Sequence, residues 1–267
     1  DPVGNVTVTT NAESEVTTTI YDAADRVVAN INPLTFRTSF TYNNDSLRTS
    51  VTNPEGETST TDYNGLNQVT DVTDPLSHAT TTDYDAAGRA IAVTNAESET
   101  TTTVYDPAGR PIAIVNPLLE RTTTVYDLAG QPVEVINPLG FVTTTVFDDA
   151  GRAIRSIDPL SHVTTTTYDG ANRPTRITNP LNQSTTTVYD AAGRTKNTIN
   201  PLGFVTSYSY DAVNRRTEVT NPEGETSTTV YDDAGRTINT INAMGFVTTM
   251  AYDMVDRQIA VTNPEGE

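Results

Sequence analysis

Short runs of alternating polar and hydrophobic residues fill the chain, and turn-forming residues separate them. RAIAVT at residues 89–94 and FVTTTVF at 141–147 are typical runs, rich in β-branched and aromatic residues. Such residues favour strands, and no run has the hydrophobic spacing or the length of a helix. The pattern therefore predicts an all-β protein.

The runs recur with a fixed period of 21 residues, which is the separation of Tyr105 and Tyr126. Asn or Asp also stands eleven residues after each aromatic, from Asn32 to Asn263. Two four-residue turns, a six-residue strand and a seven-residue strand add up to this period, so one repeat is a β-hairpin. The aromatic residues that mark twelve repeats, without insertion or deletion, are Tyr21, Tyr42, Tyr63, Tyr84, Tyr105, Tyr126, Phe147, Tyr168, Tyr189, Tyr210, Tyr231 and Tyr252.

The first turn of the repeat follows the aromatic residue, as in YDPAGR. Its predicted signature is Tyr105, Asp106, Gly109 and Arg110. Asp at the first position and Gly at the fourth indicate a type I turn whose last residue has positive φ and forms a bulge. Gly, Asn or Asp occupies that fourth position in eleven repeats, and Ser46 is the exception.

The second turn has the signature NPLG or NPEG, represented by Asn137, Pro138 and Gly140. The Asn side chain can start the turn, Pro pre-sets φ at the next position, and Gly closes it.

Two architectures fit a repeat with two such turns. A hairpin meander brings Asp and Arg together at each turn, whereas a stacked β-solenoid would line up Asp residues about 5 Å apart, so we favour the meander.

The side-chain directions depend on how the first turn is closed. With a three-residue loop and a bulge, Val104, Ile112 and Ile114 share a face with Thr102, and Tyr105 lies on the other face. We expect the Val and Ile face to be the more buried one. A one-residue change in the loop swaps these pairings.

Composition narrows the possible functions. The formal net charge is −18 and the sequence pI is about 4.3, so binding to nucleic acid or anionic membranes is not expected. Cysteine is absent, which excludes disulfides and thiolate chemistry. No hydrophobic run reaches the roughly 18 residues of a membrane span. This composition is typical of a microbial surface or secreted protein.

The repeat resembles the Rhs or YD repeat. The resemblance rests on YDAAGRAIAVTNAES from Tyr84, YDPAGRPIAIVNPLL from Tyr105 and YDAAGRTKNTINPLG from Tyr189, and on Arg after the turn in nine of twelve repeats. It implies hairpins joined into a long sheet that spirals into a shell or tube. It also implies a bacterial surface protein, a toxin-enclosing shell or a cell-adhesion protein. The invariant repeat length departs from the family and favours an extended fibre.

No motif in the sequence indicates catalysis or a cofactor. His78 and His162 are the only histidines, and they lie four repeats apart, too distant to bind one metal ion. No nucleophile triad, phosphate-binding loop or metal-ligand spacing is present. We therefore expect a protein that is not an enzyme and uses no metal or other cofactor.

Threonine is the most conspicuous residue, with 52 of 267 positions. The simplest explanation is strand propensity on a half-exposed sheet; O-glycosylation is the main alternative, and ice binding is a weaker one. N-glycosylation motifs occur at Asn5, Asn44 and Asn182, at different repeat phases. The possible O-glycosylation sites are Thr101, Thr102, Thr103, Thr122, Thr123, Thr124, Thr143, Thr144 and Thr145.

Residues 1–267 are thus predicted to be a single uninterrupted array that starts and ends within a repeat, as a segment of a longer one would. The expected role is structural: a building block of an extracellular fibre, filament or stalk, joined by self-association or by continuation of the chain. The alternatives are a wall section of a shell that encloses a toxin, and a glycan-binding adhesin.

Overall fold

The computed structural model describes residues 3–265. This part of the chain contains 25 β-strands and no helix, which confirms the all-β prediction. By its internal contacts the chain divides into two compact units: residues 1–125 with 135–140, and residues 126–134 with 141–267. The two units are built from the same hairpin.

The strands of the first half of the chain follow one another at regular intervals. They are β1 (Val8–Thr10), β2 (Val16–Tyr21), β3 (Val27–Ile31), β4 (Arg37–Tyr42), β5 (Arg48–Thr52), β6 (Thr58–Tyr63), β7 (Val69–Thr73), β8 (Ala79–Tyr84), β9 (Ala90–Thr94), β10 (Thr100–Tyr105), β11 (Pro111–Val115), β12 (Arg121–Tyr126) and β13 (Pro132–Ile136).

The second half continues with the same alternation of six-residue and five-residue strands. They are β14 (Val142–Phe147), β15 (Ala153–Ile157), β16 (Val163–Tyr168), β17 (Pro174–Thr178), β18 (Ser184–Tyr189), β19 (Thr195–Ile199), β20 (Val205–Tyr210), β21 (Arg216–Thr220), β22 (Thr226–Tyr231), β23 (Thr237–Ile241), β24 (Val247–Tyr252) and β25 (Gln258–Thr262).

Within each unit, every strand pairs antiparallel with its neighbours in sequence. For example, β10 pairs with β9 on one side and with β11 on the other. This is the predicted hairpin meander, and the antiparallel pairing of successive strands rules out the stacked β-solenoid. Each repeat consists of one six-residue strand, one five-residue strand and the two five-residue connections between them.

The side-chain directions predicted for β11 relative to β10 are wrong. Val104 pairs with Ala113 and Thr103 pairs with Ile114. Adjacent residues of a strand point to opposite faces, so Val104 and Ile114 lie on opposite faces. The pair Val104–Ala113 is followed by the pair Tyr105–Pro111. Ile112 is skipped in this register, and the alternation of side chains along β11 therefore shifts by one residue.

The prediction that the Val and Ile face is buried is wrong for the same reason. Val104 is 40% exposed and Ile114 is 48% exposed, although they lie on opposite faces. Among the described residues, only Ala29 and Ala113 are buried. Burial of apolar side chains therefore contributes less to this fold than in an ordinary globular domain, and hydrogen-bonded ladders must contribute more.

Candidate functional site between the repeats

Asp at the first position caps the first turn of the repeat. The Oδ1 atom of Asp85 accepts the backbone N–H groups of Ala87 at 2.9 Å and Arg89 at 3.0 Å, and Oδ2 accepts Nε of Arg89 at 2.7 Å. The backbone closes the same loop, because Gly88 N donates to Asp85 O at 2.9 Å. Asp at this position thus orders both the loop and the arginine side chain.

The arginine also reaches the next repeat. Nη1 of Arg89 donates to the carbonyl of Asp106 at 3.2 Å, and its guanidinium carbon lies 4.7 Å from the ring centre of Tyr105. The hydroxyl of Tyr105 donates back to the carbonyl of Ala90 at 3.0 Å. We call this set of Asp, Arg and the Tyr of the following repeat the clamp.

The clamp recurs along both units with nearly constant geometry. A tyrosine hydroxyl donates to the carbonyl fifteen residues earlier in ten repeats, over 2.7–3.2 Å. Guanidinium-to-ring distances are 4.4–5.0 Å in seven junctions. Neutral hydrogen bonds contribute about 1 kcal/mol each and exposed cation–π contacts about 0.5–1 kcal/mol. The clamps therefore add up along the array.

The clamp also affects the ionisation of the turn carboxylates. The guanidinium hydrogen bond from Arg89, followed by the backbone N–H of Arg89, lowers the pKa of Asp85 below its ordinary value. For Asp106 the backbone N–H of Arg110 is the largest cause of a lowered pKa. Because arginine stays protonated, these pairs keep their charges at every pH at which the aspartate is ionised.

The second turn has its own cap, which involves its first and fifth residues. Oδ1 of Asn53 accepts the backbone N–H groups of Glu55 and Glu57, and Nδ2 of Asn53 donates to the Glu57 carboxylate at 2.7 Å. Where the turn begins with Asp, the fifth residue is His: Nδ1 of His78 lies 3.0 Å from Oδ2 of Asp74. This pairing explains why the recurring NPEGE, NAESE and DPLSH segments keep the same spacing of first and fifth residues.

The predicted turn residues lie where these caps form. Gly109 has φ of +84° and Gly140 has φ of +80°, both in the left-handed region that glycine tolerates. Asp106 accepts Nε of Arg110 at 2.7 Å. In the second turn, Gly140 N donates to Asn137 O at 2.9 Å, and Pro138, between them, is exposed.

The glycosylation candidates differ in accessibility. Of the nine threonines, only Thr143 is exposed; the others are half-buried within paired strands. Asn44 and Asn182 are exposed in turns, whereas Asn5 is half-buried and its Nδ2 donates to Asp25 at 2.9 Å. A sugar on the strand threonines would have to fit between side chains of neighbouring strands, about 4.8 Å apart.

Two of the three repeats without arginine retain the tyrosine that follows. Leu47 precedes Tyr63 and Gln68 precedes Tyr84, and both hydroxyls donate as in the clamp. Gln68 replaces part of the arginine's role, since its Nε2 donates to the carbonyl of Gly88 at 2.8 Å. The third repeat has Gln131, and the aromatic residue that follows it is Phe147.

Neither a metal centre nor a membrane helix emerges from the geometry. Across residues 3–265, no three His, Asp or Glu side chains are grouped so that they could hold a metal ion. No helix in that range is long and apolar enough to span a membrane. The repeated feature of the chain is the clamp, whose groups satisfy one another within the sheet.

The clamps and the meander define a structural repeat protein, and comparison with known families agrees. The chain belongs to the RHS repeat family, which matches it over well more than half of its length. The matched residues are 63–100, 84–120, 105–143, 147–184, 189–226 and 231–267. This is a repeat family and not a catalytic one. No curated protein matches the chain.

The chain is also similar to parts of solved structures. The crystal structure of TcdB2-TccC3-Cdc42 is similar with a TM-score of 0.50 and 15% identity, over 94% of this chain and 17% of that chain. The Tc holotoxin pore of Photorhabdus luminescens with the TccC3-D651A mutation gives a TM-score of 0.40 and 14% identity, over 94% and 19%. The chain thus spans less than a fifth of the length of these structures.

Proposed function

We propose that this chain is a tension-bearing segment of a large secreted or surface-exposed bacterial protein, and that it builds a fibre or stalk. The observation that carries the proposal is the clamp, which joins most successive hairpins by the same bonds at an unvarying repeat length. Each repeat contacts only its neighbours, so tension along the array passes through every junction in turn.

A wall section of a toxin-enclosing shell is the second candidate. The fold likeness to the TcdB2-TccC3-Cdc42 structure favours it. Electron microscopy of the longest natural form of the protein separates the two. Filaments of uniform width would support the fibre proposal. Closed hollow bodies would contradict it and support the shell proposal instead.

Glycosylation of the threonine tracts and glycan binding along the repeats are separate proposals. The exposed Thr143 and the turn residues Asn44 and Asn182 are the accessible acceptors. The intact mass of this segment from native material tests attachment, because the polypeptide alone has 28.7 kDa. A mass without excess would contradict glycosylation, and saturable binding to a glycan panel would support an adhesin.

A further inference from the structure

Two arginines of neighbouring repeats lie on the same face of the sheet in the second unit. Arg155 in β15 pairs with Thr165, and Arg176 in β17 pairs with Thr167, both threonines belonging to β16. Directly paired residues share a face, and so do residues two apart in one strand. Both arginines are exposed. The second half of the chain thus presents two guanidinium groups on one face, one repeat apart.

These two arginines differ from the arginines of the clamp. All nine first-turn arginines form an ion pair with the Asp of their own turn. Neither Arg155 nor Arg176 makes a hydrogen bond, an ion pair or a ring contact through its side chain within residues 3–265. Glu134, which has the same repeat position one repeat before Arg155, forms no ion pair in that range either. Two positive charges are therefore not neutralised locally, although the net charge of the chain is −18.

The first unit presents the opposite charge in the same arrangement. Asp62 in β6 pairs with Asp71 in β7. Asp71 also pairs with Thr81 in β8, and Asp83 lies two residues further along that strand, so the three carboxylates share a face. Asp62 and Asp83 are exposed. Like charges directly opposite each other destabilise a sheet, and no side-chain contact of these aspartates offsets that cost in the part of the chain that the structure describes.

The acidic pair and the basic pair have the same spacing. Arg155 and Arg176 are one repeat apart, and so are Asp62 and Asp83. In each pair the two residues lie two strands apart, which is roughly 9.6 Å. In each pair the register also advances by two residues between the first residue and the second. Two carboxylates of one copy can therefore meet two guanidinium groups of another copy at the same time.

We propose that a second copy of this chain docks on the face that carries Arg155 and Arg176. Asp62 and Asp83 of the second copy would pair with the two guanidinium groups. The argument is charge complementarity, because opposite charges at matching spacing select a partner and fix its register. Arginine suits this role, since its guanidinium group binds a carboxylate through two parallel hydrogen bonds. The inference rests on the fibre proposed above and names the contact between neighbouring copies.

Sedimentation velocity of the full chain in about 0.15 M salt tests the pairing, because charges separated by more than roughly 8 Å are screened there. The wild-type chain should associate as its concentration rises. The basic-pair variant, Arg155→Glu with Arg176→Glu, places like charges opposite each other and should associate about tenfold more weakly or less. The acidic-pair variant combines Asp62→Arg and Asp83→Arg, and it should be weakened to a similar extent. It also carries Asp71→Ser, so that the arginine introduced at position 62 has no carboxylate opposite it in its own chain.

A mixture of the two variants gives the most specific result. Each variant alone brings like charges together, whereas in the mixture the introduced glutamates face the introduced arginines, so association should recover. The matched control is Lys196→Glu with Arg216→Glu, which changes the net charge as much as the basic-pair variant does, at other exposed strand positions. It should associate like the wild type. Circular dichroism verifies that every variant is folded.

Three outcomes would overturn the pairing: a wild-type chain that stays monomeric, folded variants that associate like the wild type, or a mixture that does not recover. A monomeric wild-type chain that binds poly-glutamate through Arg155 and Arg176 would also overturn it, in favour of a different acidic partner. Filaments in electron microscopy of the longest natural form would leave the fibre proposal intact in all of these cases. Failure of the pairing and failure of the fibre are therefore distinguishable.

Discussion

Thr35 and Leu119 hold the left-handed backbone conformation that several other repeats give to glycine. Their φ angles are +67° and +63°, and Gly140 at the same turn position has +80°. A side chain in this region costs about 1–2 kcal/mol, and the cost is greatest for a β-branched residue such as Thr. The hydrogen bond from Thr35 N to Asn32 O, 2.9 Å long, holds the turn closed nevertheless.

The substitution Thr35→Gly should therefore stabilise the chain. We expect the free energy of unfolding to rise by about 1 kcal/mol, after the greater backbone entropy of glycine in the unfolded chain is subtracted. Urea denaturation of the full chain measures this change. The reverse substitution, Gly140→Thr, is the matched control and should be destabilising; a loss of stability in Thr35→Gly would contradict the explanation.

A second prediction for single residues concerns the tyrosine hydroxyl of the clamp. In the other repeats the tyrosine hydroxyl donates to the carbonyl fifteen residues earlier. Phe147→Tyr would place a hydroxyl at this position, where the corresponding carbonyl is that of Pro132. It should add about 1 kcal/mol, and Tyr168→Phe, which loses the bond to Ala153 O at 2.9 Å, should cost a similar amount. Thermal unfolding of both variants measures the pair. Changes of the same sign in both would be inconsistent with the clamp.

Where the first turn of the repeat begins with Asp, its stability depends on an ionised carboxylate. The guanidinium and then the backbone N–H of Arg89 lower the pKa of Asp85 in the folded chain. The folded state thus binds fewer protons than the unfolded state in the acid range. The resulting stability is fully present above the ordinary aspartate pKa of about 4, and it is lost as pH falls through the lower folded value.

Acid titration of Asp85→Asn tests this contribution. The wild-type chain should lose more stability than the variant between about pH 6 and about pH 3, because the variant has no carboxylate to protonate at that turn. The urea midpoint at each pH provides the measurement, and Asp149→Asn, at an exposed turn position, is the control. Equal losses in wild type and Asp85→Asn would show that the capped aspartate does not contribute.

The elements differ in how far the sequence alone could predict them. The strands and both turns follow from local chemistry: Asp106 and Gly109, or Asn137 and Gly140, specify a turn within four residues. The prediction of side-chain directions was wrong because a single residue skipped in the register, Ile112, inverts the alternation along β11. Turn chemistry does not reveal whether the pairing register skips a residue.

The contacts between repeats were also beyond the sequence analysis. Arg89 and Tyr105 belong to successive repeats and meet only once the register of two hairpins is known. A signal for the second cap was present, since Glu follows Asn four residues later in six repeats and His follows Asp in both repeats whose turn begins with Asp. Recognising it requires the knowledge that the first and fifth residues of that turn face each other.

At the scale of the whole molecule, stability must come from repetition. Only Ala29 and Ala113 are buried among the described residues, so no compact core can stabilise a single repeat. Each added hairpin contributes one set of ladder bonds to its neighbour, and most hairpins also contribute a clamp. An array of this kind behaves as a one-dimensional chain of coupled units, whose stability grows with their number.

Denaturant unfolding of fragments with three, six and nine repeats, beside the full chain, tests most directly whether coupling between repeats maintains the fold. The free energy of unfolding and the denaturant midpoint should rise with repeat number, and Tyr105→Phe in the six-repeat fragment should lower both. A midpoint that stays constant from three repeats to the full chain and is unaffected by Tyr105→Phe would contradict this account. It would show that the clamp does not stabilise the contacts between repeats.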